Sequence, residues 1–145
     1  MNFLELAARR QSTRKYEPGR RIPREVLERC LEAARLAPSA CNSQPWSFVV
    51  ADTPETVRAL AEAACTQVPY GMNKFARDAS AIVAVVTEKM KLAARLGAQI
   101  RGVQYSLVDI GIAGEHLVLQ AAEEGLGSCW IGWFDERAAQ RVLGV

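Results

Sequence analysis

A single domain built from both helices and strands is what this sequence predicts, on three observations. Its 145 residues, 50% hydrophobic and 23% charged, are enough for one core of ordinary soluble composition. Apolar residues recur at helical spacing in residues 23–36, 53–65 and 103–124. A short apolar run at residues 46–51 and a continuous one at 81–87 have the length and composition of strands.

Residues 2–10 place Phe3, Leu6 and Ala7 on one face, which predicts a short first helix that ends in charge. Gln11-Ser12-Thr13-Arg14-Lys15 follows, rich in donors, and Tyr16-Glu17-Pro18-Gly19 is a turn. Such a segment either suits a phosphate and a polar chain or is a surface turn. Pro23 fits the first position of a second helix, whose stripe of Val26, Leu27, Cys30, Leu31 and Ala34 runs to Leu36 and makes Cys30 a core residue. This helix delivers the loop Ala37-Pro38-Ser39-Ala40-Cys41-Asn42-Ser43-Gln44-Pro45-Trp46. Two prolines restrain its backbone while hydroxyls, amides and free N–H groups stay available. The loop either grips a polar cofactor or is an ordinary turn feeding strand 46–51.

Asp52-Thr53-Pro54 is a cap followed by a helix-start proline, and Val57, Leu60, Ala61 and Ala64 carry a third helix to Cys65. A turn at 69–74 leads to a short helix at 73–79, and 81–87 is a buried central strand. Residues 88–102, charged with scattered apolar positions, are a mobile arm or the beginning of the next helix. From Val103 to Glu124 the pattern is helical and, between Leu107 and Ala122, apolar nearly all round; such a helix is buried either centrally in the monomer or within a dimer interface. Gly111 and Gly114 each cost about 1 kcal/mol relative to alanine there, so close approach of a second helix or a ligand is the compensation. His116 is a packed or edge residue that no motif partners. Gly125 takes a left-handed cap, Ser128-Cys129-Trp130-Ile131-Gly132-Trp133 is a strand running into a loop, and Asp135 caps a last helix to Leu143.

A formal net charge of +2 is too mild for a nucleic-acid protein. Basic residues do gather in 9–24, which points to a local anion such as a phosphate or to a solvated surface. The four cysteines show no metal spacing and the one histidine cannot complete a zinc set with them, so no metal site is expected. No apolar run reaches the length of a membrane span, and the amphipathic N-terminus carries no cleavage signal. The expectation is a cytoplasmic protein with reduced thiols.

Three segments then agree on one resemblance. Arg10-Gln11-Ser12-Thr13-Arg14-Lys15-Tyr16 resembles the N-terminal pattern of the nitroreductase family of FMN-dependent oxidoreductases. Ala37-Pro38-Ser39-Ala40-Cys41-Asn42-Ser43-Gln44-Pro45-Trp46 is similar to that family's Pro-Ser-x-x-Asn-x-Gln-Pro-Trp signature. Gly125-Leu126-Gly127-Ser128-Cys129-Trp130-Ile131-Gly132 is similar to its Gly-Leu-Gly-x-Cys-Trp-Ile-Gly segment.

The resemblance implies an α+β fold, with a central, mostly antiparallel sheet flanked by helices, built as an intertwined homodimer with FMN at the interface. Arg10, Ser12 and Arg14 would hold the FMN phosphate, ribityl chain and pyrimidine edge. Pro38, Ser39 and Ala40 would reach the partner's flavin, and Trp130, Ile131 and Gly132 would lie against the isoalloxazine. Gln11, Asn42 and Cys129 complete the expected cofactor set, and helix 107–122 would be the dimer core. Members usually continue past the position of Val145 with a further strand and a basic tail, so residues 1–145 are expected to be one domain lacking both. An Asn and a Lys that contact the flavin pyrimidine in many members fall near Asn73 and Lys74.

With the chemistry on FMN no catalytic side chain is required, and NAD(P)H would reduce the flavin before a small acceptor such as a nitroaromatic or quinone replaces it. Arg14 is the cation that would favour the anionic reduced flavin. The alternative is a flavin-binding carrier or sensor without turnover. A redox role for Cys41 or Cys129 is a further rival, although neither has a resolving partner in sequence.

Overall fold

The computed structural model describes residues 2–66, 71–89 and 102–145. Helix α1, Phe3–Arg9, starts from a capping box in which Asn2 Oδ1 accepts the Glu5 N–H and Glu5 Oε2 accepts the Asn2 N–H. Helix α2, Arg24–Arg35, has Pro23 at its cap, one place earlier than expected, and buries Leu27, Cys30 and Ala34. A 3₁₀ turn at Ala40–Asn42 precedes strand β1, Trp46–Ala51. Thr53 caps helix α3, Pro54–Cys65, whose first residue is the expected proline. A 3₁₀ turn at Lys74–Asp78 leads to strand β2, Ile82–Thr87. Helix α4 spans Tyr105–Glu123, and Asp135 caps helix α5, Glu136–Leu143, by accepting the Ala138 N–H at 2.9 Å.

Strands β1 and β2 pair antiparallel, with Trp46 opposite Thr87 and Ala51 opposite Ile82. Two expectations need correction here. Strand β2 is half-buried and not a buried central strand, because among the described residues β1 is its one neighbour and the sheet has two strands. Residues 128–133 do not form a strand; Ser128 makes a single parallel bridge to Ser12 and the chain then leaves as a loop. Most of 88–102, expected to be an arm or a helix start, lies outside the described residues.

Two apolar clusters hold the sheet from opposite ends. Trp46, Ala37 and Ala113 form one, with Phe48, Val85, Ile110 and Ile112 against it, and so tie the base of the 37–46 loop to α4. Ala51, Val57 and Leu60 form the other with Ile82, Ala139, Val142 and Leu143, which joins α3 to α5. Helix α4 ends as expected: Gly125 has φ +78°, its N–H donates to Ala122, and the Leu126 N–H donates to Ala121 at 2.8 Å.

Helix α2 lies along α4. His116 Nδ1 stands 3.2 Å from the Ala33 carbonyl, in the packed role expected of it. Arg29 donates from Nε and Nη2 to the two Glu124 oxygens at 2.6 and 2.7 Å. These bonds hold the Glu124 carboxyl down to about 2 from an ordinary 4.5. A carboxylate depressed on folding contributes stability above its unfolded pKa and loses it as pH falls through the folded one. The melting temperature is therefore expected to fall between pH 4.5 and about 2 more steeply for the native chain than for Glu124→Gln, as followed by circular dichroism.

Candidate functional site

The three polar segments picked out from the sequence all dock on α4 within six residues, about 9 Å along its axis. Arg10 Nε stands 3.6 Å from Glu115 Oε1. The Ala40 N–H donates to Asp109 Oδ1 at 3.1 Å. A Cβ on Gly114 would stand 2.0 Å from Trp130 Cη2, so the indole rests directly on the helix backbone. Gly114 is thus explained by a side chain of its own chain, whereas among the described residues a Cβ on Gly111 would meet nothing within 4 Å.

The first and third segments are joined through their backbones. The Thr13 N–H donates to the Ser128 carbonyl at 2.8 Å, and a Cβ on Gly127 would come within 2.8 Å of the Thr13 side chain. Only glycine allows that approach. Tyr16 continues the contact. Its ring centroid lies 6.1 Å from that of Phe75. Its phenol is pushed up to about 12, first by burial, then by the Cys129 thiol, with Arg14 acting in the opposite sense. Between the segments lies a concavity of about 210 Å³ lined by Arg9, Arg10, Gln11, Thr13, Gly127 and Ser128 among others.

The second segment is a tightly determined turn. Cys41, Asn42 and Gln44 have φ of 52°, 49° and 46°, in the left-handed region, where a residue with a side chain costs of order 1–3 kcal/mol. The turn is held by Asn42 N–H to Ser39 O and Ser43 N–H to Ala40 O, both 3.0 Å, and by Gln44 N–H to Ser39 Oγ at 2.8 Å. Pro38 and Asn42 are exposed, while Ser39 and Ala40 are half-buried. This loop and Arg10 reach α4 about 120° apart around its axis.

Beyond Trp130, Ile131 and Gly132 the chain is clamped by Asn73. That residue is buried, and its Nδ2 donates to the Ala64 and Trp133 carbonyls at 2.7 and 2.8 Å. Both amide hydrogens thus serve the loop; neighbouring Lys74 is exposed. Cys41 and Cys129 are both free thiols. Sequence reasoning missed Asp109. Its signal was a carboxylate four residues before Ala113 on the apolar face of the helix.

Among the described residues no group of His, Cys, Asp and Glu side chains could hold a metal, and no helix is long and apolar enough to cross a membrane. A two-stranded antiparallel sheet flanked by helices, with three polar segments gathered on the longest of them, defines an α+β fold. The family model described as Nitroreductase family matches residues 7–145, and the chain belongs to that family. It is 33% identical over 159 aligned positions to an NADH dehydrogenase of Thermus thermophilus, covering 96% of this chain and 77% of that one. A nitroreductase family protein from Clostridium novyi superposes with a TM-score of 0.82 at 28% identity, over 100% of this chain and 77% of the other. An FMN-dependent nitroreductase from Clostridium difficile superposes at 0.76 with 26% identity, over 99% and 79%.

Proposed function

We propose that this chain is an NAD(P)H-dependent oxidoreductase that uses FMN to pass hydride to a small acceptor such as a nitroaromatic or a quinone, working as a homodimer. The observation that carries the reading is the docking of all three polar segments on one short stretch of α4. The relatives named as an NADH dehydrogenase and an FMN-dependent nitroreductase support it.

The residues present fit FMN. Arg10, Gln11 and Thr13 stand beside a concavity whose other wall is the Gly127-Ser128 backbone, and guanidinium with backbone N–H is the donor set a phosphate and a ribityl chain require. Two approaches that a Cβ would block, Thr13 on Gly127 and Trp130 on Gly114, hold the third segment against the first and against α4. Bound FMN supplies hydride transfer at its N5, so no side chain need act as a nucleophile or proton shuttle.

The chain's own task is to bind and orient. Arg10, Ser12 and Arg14 hold the phosphate, the polyol and the pyrimidine edge, with the Arg14 charge favouring the anionic reduced form. Trp130, Ile131 and Gly132, with Cys129 behind them, give the ring a flat wall. Pro38, Ser39, Ala40 and Asn42 serve the site of a second copy, consistent with their reaching α4 from another side than Arg10.

Titration of the purified protein with FMN is expected to perturb the flavin absorbance bands, and NAD(P)H added anaerobically should then bleach them. A protein that leaves the FMN spectrum unchanged at every concentration would sink the proposal.

A further inference from the structure

Among the described residues, two buried side-chain atoms lack a hydrogen-bond partner, Asp109 Oδ2 and Ser43 Oγ. Both belong to one place, the 40–43 turn and the carboxylate that holds it. Asp109 is 3% exposed, and its other oxygen accepts the Ala40 N–H. One helical turn on, Ala113 packs against Ala37 and Trp46, so the base of the loop is pinned by contact and its apex by Asp109. The ion pairs of the described residues leave Asp109 without a cation. Buried carboxylates are ordinarily paired or fully hydrogen-bonded, because an uncompensated charge in a low dielectric costs more than its other contacts return.

We propose that Asp109 is a positioning residue for the flavin-facing loop, and that its buried, unpaired charge lowers the reduction potential of the bound flavin. The inference rests on the reading that Ser39 and Ala40 contact FMN. A negative charge one hydrogen bond behind those residues disfavours the anionic reduced flavin, in the opposite sense to Arg14. Burial keeps solvent ions from screening it.

Asp109→Asn keeps the shape and the oxygen that accepts from Ala40 while removing the charge. It is expected to retain the thermal midpoint of the cofactor-free protein. Its preference for reduced over oxidised FMN should rise about tenfold, which for a two-electron couple is a midpoint potential about 30 mV higher, read by equilibration with a redox dye. Asp109→Ala should show the same rise and, with the anchor gone, at least roughly tenfold weaker binding of oxidised FMN. Where the asparagine variant does not fold, Asp109→Ser is the neutral substitute that still offers an acceptor. A native potential in the neutral variants overturns the electrostatic role, and native FMN affinity in the alanine variant overturns the positioning role. Amide exchange at Ala40, measured without cofactor, separates these failures from failure of the FMN reading itself. Exchange faster in Asp109→Ala than in Asp109→Asn supports the anchor whatever ligand binds, and equal, native rates overturn it.

Discussion

Gly114→Val is expected to lower the melting temperature and to abolish most FMN binding, although residue 114 itself touches no cofactor in the proposed site. The new Cβ would fall 2.0 and 2.3 Å from Cη2 and Cζ2 of Trp130, closer than real atoms come, so either the indole leaves or the helix moves. Overpacking of this kind costs about 1–3 kcal/mol. Gly114→Ala separates fold from site. It gains about 1 kcal/mol of helix propensity, yet still evicts the ring. The alanine variant should melt near the native temperature while binding FMN at least tenfold more weakly, about 1.4 kcal/mol. Adding Trp130→Phe should restore part of that loss, since the shorter ring leaves room for the methyl. Calorimetry and a flavin fluorescence titration read the two effects. Native FMN affinity in both single variants would mean that Trp130 plays no part in the site.

Elements that announce themselves locally were legible in the sequence. Thr53-Pro54 and Asp135 start helices because a side-chain oxygen can satisfy an orphan N–H, and Gly125 ends one because glycine accepts positive φ without a Cβ clash. Strand β1 agrees residue for residue, since its apolar run is bounded by a proline and a cap. The errors came where the outcome depends on partners far along the chain. The run 81–87 has the composition of a buried strand, but burial is decided by what lies on its other edge. Ser128 to Trp133 has strand composition too. Its backbone is instead drawn to Thr13, more than a hundred residues earlier, and its indole to Gly114 on the preceding helix.

The same distinction holds for the site. Hydroxyls, amides and guanidinium groups around restrained backbone mark 10–14 and 38–42 as polar clusters without any structure. That α4 is the surface on which they meet, and that Asp109 is one of the posts, depends on helix register against loops 69 and more residues away. Asn73 shows the limit from the other side. Its type and place fit a ligand contact, and only the fold reveals that Ala64 and Trp133 already occupy its amide hydrogens.

Gly111 gives the largest test of the assembly, because two readings of it predict opposite signs. Among the described residues nothing lies within 4 Å of its Cβ position, and Leu107 and Val108, on the same face four and three residues before it, are 59% and 53% exposed. If that face meets only water, Gly111→Ala should stabilise the protein by about 1 kcal/mol through helix propensity alone. If, as proposed, a second α4 packs there, the methyl holds two backbones apart and the variant is less stable despite the better helix. Gly111→Arg extends the argument. Gly111 is exposed and its Cβ position is open among the described residues, so the fold should survive, while a charge placed in an apolar contact between copies should leave a monomer. Because the 38–42 loop then has no second copy to serve, FMN affinity should fall together with the dimer. Light scattering at micromolar concentration reads the mass, and a flavin titration on the same sample reads the affinity. A monomeric native protein that is stabilised by Gly111→Ala and binds FMN equally well with arginine at that place would refute the dimer and move the whole cofactor site into one chain.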